Sequence, residues 1–111
     1  SELNLMRLEK TWSEIVEEGD SWHVNGYTKI EDTEGNPLPD VTIRANFTRL
    51  VTEGVSEMKQ RTNENGIAGP FISTSTKESG TIHMAIKNIE KPEYKVDIFN
   101  SGSNTVNATR E

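Results

Sequence analysis

Apolar and polar side chains alternate along most of this chain, at a spacing of two far more often than at the 3.6 of a helix. The alternation is regular over residues 22–31 and 41–48, which predicts two half-buried strands. Weaker or shorter alternation predicts further strands at residues 55–62, 67–73, 81–89, 94–98 and 105–109. The strand over 55–62 is the most polar of them, as is usual for a strand at the edge of a sheet.

Turn-forming residues separate these strands. The two clearest turns are Gly35-Asn36-Pro37 and Asn65-Gly66, and each is typical of a β-hairpin because Gly readily adopts the positive φ that such turns require. Further turns are predicted at residues 77–80 and 100–104. Seven or eight short strands with regular turns predict an all-β sandwich of two antiparallel sheets that spans residues 1–111 as one domain.

The core of this sandwich is expected to contain the apolar residues at alternate strand positions and all three phenylalanines. The expected core residues are Trp22, Val24, Ile30, Val41, Ile43, Ala45, Phe47, Phe71, Ile82, Met84, Ile86, Tyr94, Val96, Ile98 and Phe99. His23 and Tyr27 fall on the opposite, outward face of their strand.

The first twenty residues fit two patterns. A helix would place apolar residues on one face at Leu5, Leu8, Trp12, Ile15 and Val16, with Glu14, Glu17 and Glu18 opposite. Residues 3–9 also alternate as a strand does, and residues 17–20 supply a turn before Trp22. We favour a first strand over residues 3–12 with an irregular acidic connection after it, and the helix remains the alternative.

Length and composition narrow the class of protein and disfavour several kinds of partner. A chain of 111 residues is the size of one domain, and a domain of that size folds without disulfides or a structural metal. The net charge of −6 disfavours nucleic acid and anionic membranes, both of which attract basic surfaces. No apolar run approaches the roughly 18 residues of a membrane span, and residues 1–3 show no signal-peptide pattern, so a mature segment or an excised domain is expected. The absence of cysteine leaves the redox compartment open.

Several motifs together resemble one family. They are Leu8-Glu9, Trp22-x-Val24, Ile30-x-Asp32-x-x-Gly35-Asn36-Pro37-Leu38, Thr62-x-x-x-Gly66-x-Ala68, residues 80–86, Asn88-Ile89 and Tyr94-x-x-Asp97. The arrangement resembles the bacterial and archaeal immunoglobulin-like (Big-type) modules that are appended to secreted proteases and surface proteins. It implies an immunoglobulin-like fold at an extracellular or cell-surface location. The motifs are turns and core positions, which specify a fold better than a function.

A second family shares the same turns. Carboxypeptidase-regulatory-like and transthyretin-like sandwiches also contain Gly-Asn-Pro-Leu-Pro before an alternating strand, but they would begin near Tyr27. The block from Leu8 to Trp22 therefore favours the immunoglobulin-like modules. Two features depart from that family: Pro92 stands where a Gly is common, and Gly69-Pro70 interrupts the strand after the second turn. Because Pro donates no backbone hydrogen bond, we expect a bulge or a sheet edge there.

No catalytic motif is present in the sequence. The two histidines, His23 and His83, lack the spacing of a zinc site, and no Gly-x-Ser-x-Gly nucleophile motif occurs. The acidic groups at residues 17–20 and 31–34 contain the carboxylates that calcium prefers but not the spacing of an EF-hand, so solvated turn residues are expected. We predict no catalytic, metal-binding or cofactor-binding residues.

The aromatic residues carry the remaining potential for binding. Trp22 is expected in the core and Trp12 at the edge of the sandwich, with only Tyr27 available to extend an aromatic surface for a sugar. Asn46-Phe47-Thr48 and Asn107-Ala108-Thr109 are glycosylation sequons. The function expected is a non-enzymatic accessory or spacer module, with adjacent domains of a larger exported chain as partners. A module that recognises a carbohydrate or a protein through loops at one end of the sandwich is the alternative.

Overall fold

The computed structural model describes residues 4–49 and 56–111. Eight strands in this part of the chain form two four-stranded sheets, so the all-β sandwich is confirmed. The strands are β1 Asn4–Glu18, β2 Ser21–Asp32, β3 Thr42–Arg49, β4 Ser56–Arg61, β5 Ile67–Ile72, β6 Gly80–Glu90, β7 Tyr94–Val96 and β8 Thr105–Arg110. One turn of 3-10 helix, Ile98–Asn100, follows β7. The predicted strand positions Leu3 and Val55 lie outside the described residues.

The strand order is that of an immunoglobulin-like sandwich. The first sheet has the order β5-β2-β1-β7 and the second the order β4-β3-β6-β8. β1, β2 and β5 correspond to strands A, B and E of the immunoglobulin fold, and β3, β6 and β8 correspond to strands C, F and G. β4 extends the second sheet beside β3. All neighbours are antiparallel except β1 and β7, which pair in parallel over three residues.

β1 is longer than predicted. It continues to Glu18 and pairs with β2 along its length, so the irregular connection after residue 12 and the alternative helix are both wrong. A two-residue turn at Gly19-Asp20 closes the hairpin, with Gly19 at a φ of 63°. The pairing register shifts between Leu8 and Lys10, so Glu9 forms a bulge. Before this extra residue the side chains that face the core are at even positions of β1, and after it they are at odd positions. The spacing of apolar residues along β1 therefore resembles that of a helix.

The two predicted glycine turns are tight turns, but neither closes a hairpin. Gly35 has a φ of 87° and Gly66 a φ of 74°, as expected. The first lies between β2 and β3 and the second between β4 and β5, and the members of both pairs belong to different sheets. Both turns meet at Ile30, whose N–H donates to the Gly66 carbonyl at 2.8 Å and whose carbonyl accepts from Leu38 at 3.1 Å. Turn residues determine where the chain reverses direction. Which strand then pairs with which depends on how the whole core packs.

Most of the predicted core is confirmed. The buried apolar residues form one cluster: Met6, Leu8, Trp22, Val24, Ile30, Leu38, Val41, Ile43, Ala45, Phe47, Ala68, Phe71, Ile82, Met84, Ile86 and Ala108. Tyr94 and Val96 are half-buried against it. Trp22 is 1% exposed. Its indole N–H donates a hydrogen bond of 2.8 Å to the carbonyl of Glu78.

Two predicted core residues are on the surface instead. Ile98 is 72% exposed and Phe99 is 92% exposed. The alternation that predicted Ile98 inward ends with β7, because the Asp97 N–H donates to the carbonyl of Met6 and the chain then turns through Ile98–Asn100. The same turn carries Phe99, which was predicted inward as an apolar aromatic residue, into solvent. The turn predicted at residues 100–104 is held against β1 by a backbone hydrogen bond. The Gly102 N–H donates to the Leu8 carbonyl at 2.7 Å.

The edge strands agree with the sequence. β4 pairs only with β3, as its polar character predicted. β5 is the edge of the first sheet, and its register with β2 shifts beside Gly69-Pro70, so the expected edge and bulge are both present. The predicted short closing strand is β8.

The sandwich is elongated, with dimensions of 53 × 24 × 20 Å. Asn4 pairs with Tyr94 at one end, which also contains the Gly35 and Gly66 turns. Arg110 pairs with Gly80 at the opposite end, beside the Gly19-Asp20 turn. We call these the Asn4 end and the Arg110 end.

Candidate functional site

Two aromatic rings stack on the outer face of the first sheet. Trp12 of β1 lies opposite Tyr27 of β2, with ring centroids 5.3 Å apart and 16° between the planes. The Tyr27 hydroxyl donates a hydrogen bond of 2.9 Å to Glu14, and this bond raises the pKa of Tyr27 above its ordinary value. The prediction that Trp12 caps the sandwich edge is wrong, because the bulge at Glu9 directs the following even-numbered residues outward.

The protein itself covers much of the surface of these rings. Nζ of Lys10 lies 4.8 Å from the centroid of the Trp12 ring, in a cation–π contact. The Tyr27 ring packs on the backbone of Gly69, where an added Cβ would lie 2.7 Å from Cδ1 of Tyr27. A sugar that stacks on an aromatic residue needs a free ring face. The row Lys10–Trp12–Tyr27–Gly69 therefore serves mainly to join β1, β2 and β5.

The two histidines lie on different sheets and face outward, as predicted. His23 is opposite Val16 on β1. Nδ1 of His83 is 2.6 Å from Oδ1 of Asn107 across the β6–β8 pair. Within residues 4–49 and 56–111, no three His, Asp or Glu side chains are grouped as a metal site.

Two of the three acidic residues in the Glu31–Glu34 segment, Glu31 and Asp32, bind other groups of the protein. Glu31 is mostly buried, and its carboxylate accepts a hydrogen bond of 2.7 Å from Nε of Arg7. Asp32 accepts from the backbone N–H groups of Asn36 and Glu34, at 2.9 and 2.8 Å. These bonds, that from the Asn36 N–H most of all, lower the pKa of Asp32. The carboxylates thus stabilise the loop at the Asn4 end.

Two acidic residues of the first hairpin form ion pairs. Glu17 lies 3.1 Å from Nε of Arg110, and Asp20 lies 3.5 Å from Nζ of Lys77. These ion pairs connect the hairpin to β8 and to the loop before β6. Surface pairs of this kind each contribute only about 0–1 kcal/mol, so they fix position more than stability.

The two sequons occupy different environments. Asn46 is on the central strand β3, and its Oδ1 is buried without a hydrogen-bond partner in the described part of the chain. Asn107 is exposed on the edge strand β8. Asn107 is therefore the more accessible acceptor for a glycan.

A polar depression lies at the Asn4 end between the loops. Its volume is about 740 Å³, and it is lined by Asp40, Thr42, Arg61, Glu90, Lys91, Pro92, Glu93 and Tyr94. Asp40 and Glu93 have positive φ values of 60° and 67°, which residues other than Gly rarely adopt. Nζ of Lys91 lies 5.7 Å from the centroid of the Tyr94 ring. The depression thus combines charged groups of both signs with one aromatic ring.

An apolar groove lies on the long side of the molecule. β8 pairs with β6 only over residues 80–85, which leaves the edge of β6 from Lys87 to Glu90 without a strand partner in the described residues. The groove beside this edge has a volume of about 400 Å³ and is lined by Leu8, Ile86, Lys87, Asn88, Ile89, Val96, Ile98, Ser101, Gly102 and Asn104. Sequence reasoning missed the groove because Ile98 was expected in the core. The alternation of Tyr94, Val96 and Ile98 continues past the end of β7, so the sequence gives no signal that the strand stops at Val96.

No protein-family model, curated protein or solved structure matches this chain. The resemblance to immunoglobulin-like modules therefore stays a prediction from the chain's own motifs. Among residues 4–49 and 56–111, no helix is long and apolar enough to cross a bilayer.

Proposed function

We propose that this chain is a non-catalytic immunoglobulin-like accessory or spacer module of a larger exported or surface protein. The supporting observation is that the chain enters the sandwich at the Asn4 end and leaves it at the Arg110 end. A domain with this geometry separates its neighbours by its own long dimension, which is 53 Å. The partners are then the adjacent domains of the same chain.

The strand directions suit this role. At about 3.3 Å per residue, the 15 residues of β1 extend roughly 46 Å, nearly the full length of the molecule. β8 lies beside β1 and runs in the same direction, from Thr105 towards Arg110. A force applied between the two ends acts along these strands. The hydrogen bonds between β1 and β2 then carry the load together rather than one after another.

The placement of the reactive side chains supports a non-catalytic role. His23 and His83 are on separate sheets, and the hydrogen-bond partner of His83 is an amide. The carboxylates of Glu31 and Asp32 are engaged by Arg7 and by backbone N–H groups. General acid–base or nucleophilic catalysis requires a base within hydrogen-bond reach of a nucleophile or an orienting carboxylate. Among residues 4–49 and 56–111, neither histidine has such a carboxylate among its hydrogen bonds.

Single-molecule pulling tests the spacer role directly. The chain has no cysteine, so a pair of introduced cysteines provides unique attachment points. Asn4→Cys with Glu111→Cys applies force from end to end, whereas Asn4→Cys with Asn65→Cys applies it between two points at the Asn4 end. We expect the end-to-end variant to unfold at a clearly higher force. An end-to-end force equal to or below that of the control pair contradicts a load-bearing spacer.

The alternative function is ligand recognition, and the depression at the Asn4 end favours it specifically. Two residues with positive φ, Asp40 and Glu93, both line it, and backbone strain of this kind occurs often at binding sites. Its mixed charges and the Tyr94 ring suit a polar ligand such as an oligosaccharide. Titration of a panel of neutral and acidic oligosaccharides, followed by backbone amide shifts, tests this. Shifts confined to the lining residues support recognition, and none across the panel excludes these ligands.

A further inference from the structure

Ile98 and Phe99 are the two most exposed large apolar residues in the described part of the chain. They are 72% and 92% exposed and consecutive on the 3-10 turn after β7. The groove lies directly beside this turn, and Ile98 forms part of its wall. Phe99 does not fill the groove of its own chain, since almost its whole side chain is in solvent. A projecting aromatic ring next to an unfilled apolar groove is typical of an interaction surface.

We propose that this surface binds a second copy of the same chain, with Phe99 of each copy inserted in the groove of the other. The projection and the groove belong to one patch, so a two-fold axis between them satisfies both at once. Such a contact closes on itself and gives a dimer. The two ends of each sandwich stay free, because the groove lies on the long side. The inference is thus independent of the spacer role.

The charges around the groove are complementary in this arrangement. Lys87 lines the groove and is exposed, and it has no ion-pair partner within the described part of the chain. Asp97 immediately precedes the exposed turn. Insertion of the turn brings Asp97 of the partner subunit towards this lysine. This attraction offsets part of the repulsion between two copies that each carry a net charge of −6.

The buried area fits a weak dimer. Two phenylalanine side chains bury roughly 300–500 Å² of their own surface, and the groove walls, which include Ile98, lose a smaller area. The total stays below about 1,200 Å², the lower limit for specific, stable interfaces. We therefore expect a transient dimer that dissociates well above the micromolar range.

Sedimentation velocity across a wide range of protein concentration tests the proposal. The wild-type chain should convert from monomer to dimer as concentration rises, and Phe99→Ala should remain monomeric over the same range. Ile72→Ala is the matched control, because Ile72 is 48% exposed on the outer face of β5 and far from the groove, and it should dimerise as the wild type does. A wild type that stays monomeric throughout overturns the proposal, and so does a dimer that survives Phe99→Ala.

A second variant tests the groove itself. Asn88 lines the groove and is exposed on β6, so Asn88→Trp fills the groove from its rim without a buried change. We expect this variant to be monomeric while Phe99 remains in place. An unchanged circular dichroism spectrum and melting temperature confirm that its fold is intact. Dimerisation of Asn88→Trp equal to that of the wild type overturns the assignment of the groove as the site that Phe99 enters.

Discussion

Trp22 connects the core to the loop that leads into β6, since its buried indole donates a hydrogen bond of 2.8 Å to the carbonyl of Glu78. The strand β2 that carries Trp22 belongs to the first sheet, whereas β6 belongs to the second. One side chain therefore fills the core and holds a connection between the two sheets.

We expect Trp22→Ala to lower the free energy of unfolding by about 3–5 kcal/mol, because it removes a large buried side chain and leaves a cavity. Chemical denaturation followed by circular dichroism measures the change. The chain's other tryptophan is the control: Trp12→Ala should cost much less, because Trp12 is only half-buried on the outer face. Equal losses for the two variants contradict the assignment of Trp22 to the core.

The two turn glycines differ in their surroundings, and this predicts different costs of substitution. Both Gly35 and Gly66 have positive φ, which costs a residue with a Cβ about 1–2 kcal/mol. An added Cβ at Gly66 would also lie 2.4 Å from the carbonyl oxygen of Ile30, whereas nothing lies within 4 Å at Gly35. Gly66→Ala should therefore destabilise the chain more than Gly35→Ala. If the two variants have the same melting temperature, the close contact between the added Cβ and Ile30 is relieved by a small shift of the backbone and costs little stability.

Trp12 and Tyr27 should be energetically coupled. Stacked aromatic pairs contribute about 0.5–1.5 kcal/mol beyond the area they bury. A double-mutant cycle with Trp12→Ala and Tyr27→Ala measures this coupling from four unfolding free energies. Additive effects indicate that the two rings are neighbours without a net interaction. Tyr27→Phe removes only the hydroxyl that binds Glu14, and it should keep the coupling.

The sequence predicts the sheets of this protein well because most of its strands are regular. From β2 onwards, residues such as Trp22 and Met84 alternate cleanly with polar neighbours, and each is buried as expected. β1 is harder to predict because one bulged residue, Glu9, moves its inward face from even to odd positions. No Gly or Pro marks the bulge at Glu9, whereas Gly69-Pro70 marked the one in β5.

The candidate sites depend on long-range placement and were harder to predict. Phe71 and Phe99 have the same chemistry, yet Phe71 is completely buried and Phe99 is 92% exposed. The difference arises because β7 stops after three residues, when Asp97 donates its N–H to Met6. The groove and the stacked Trp12–Tyr27 pair likewise join residues that are distant in sequence.

Asp32 gives a prediction about pH. Its carboxylate accepts hydrogen bonds from the Asn36 and Glu34 N–H groups, and these hold its pKa below the ordinary value of 3.8. Because the pKa is lower in the folded state, the stabilisation is fully present above pH 3.8 and is lost as the pH falls through the folded pKa. We expect Asp32→Ala to be less stable than the wild type at neutral pH and the difference to shrink in acid.

Melting temperatures of both proteins between neutral and strongly acidic pH measure this effect, and a carboxyl NMR titration reports the pKa of Asp32 directly. Glu34→Gln is the control, because it keeps the backbone N–H that donates to Asp32 and removes only a nearby exposed charge. It should retain the pH dependence of the wild type. A difference between wild type and Asp32→Ala that stays constant into acid shows that the ionised carboxylate does not stabilise this loop.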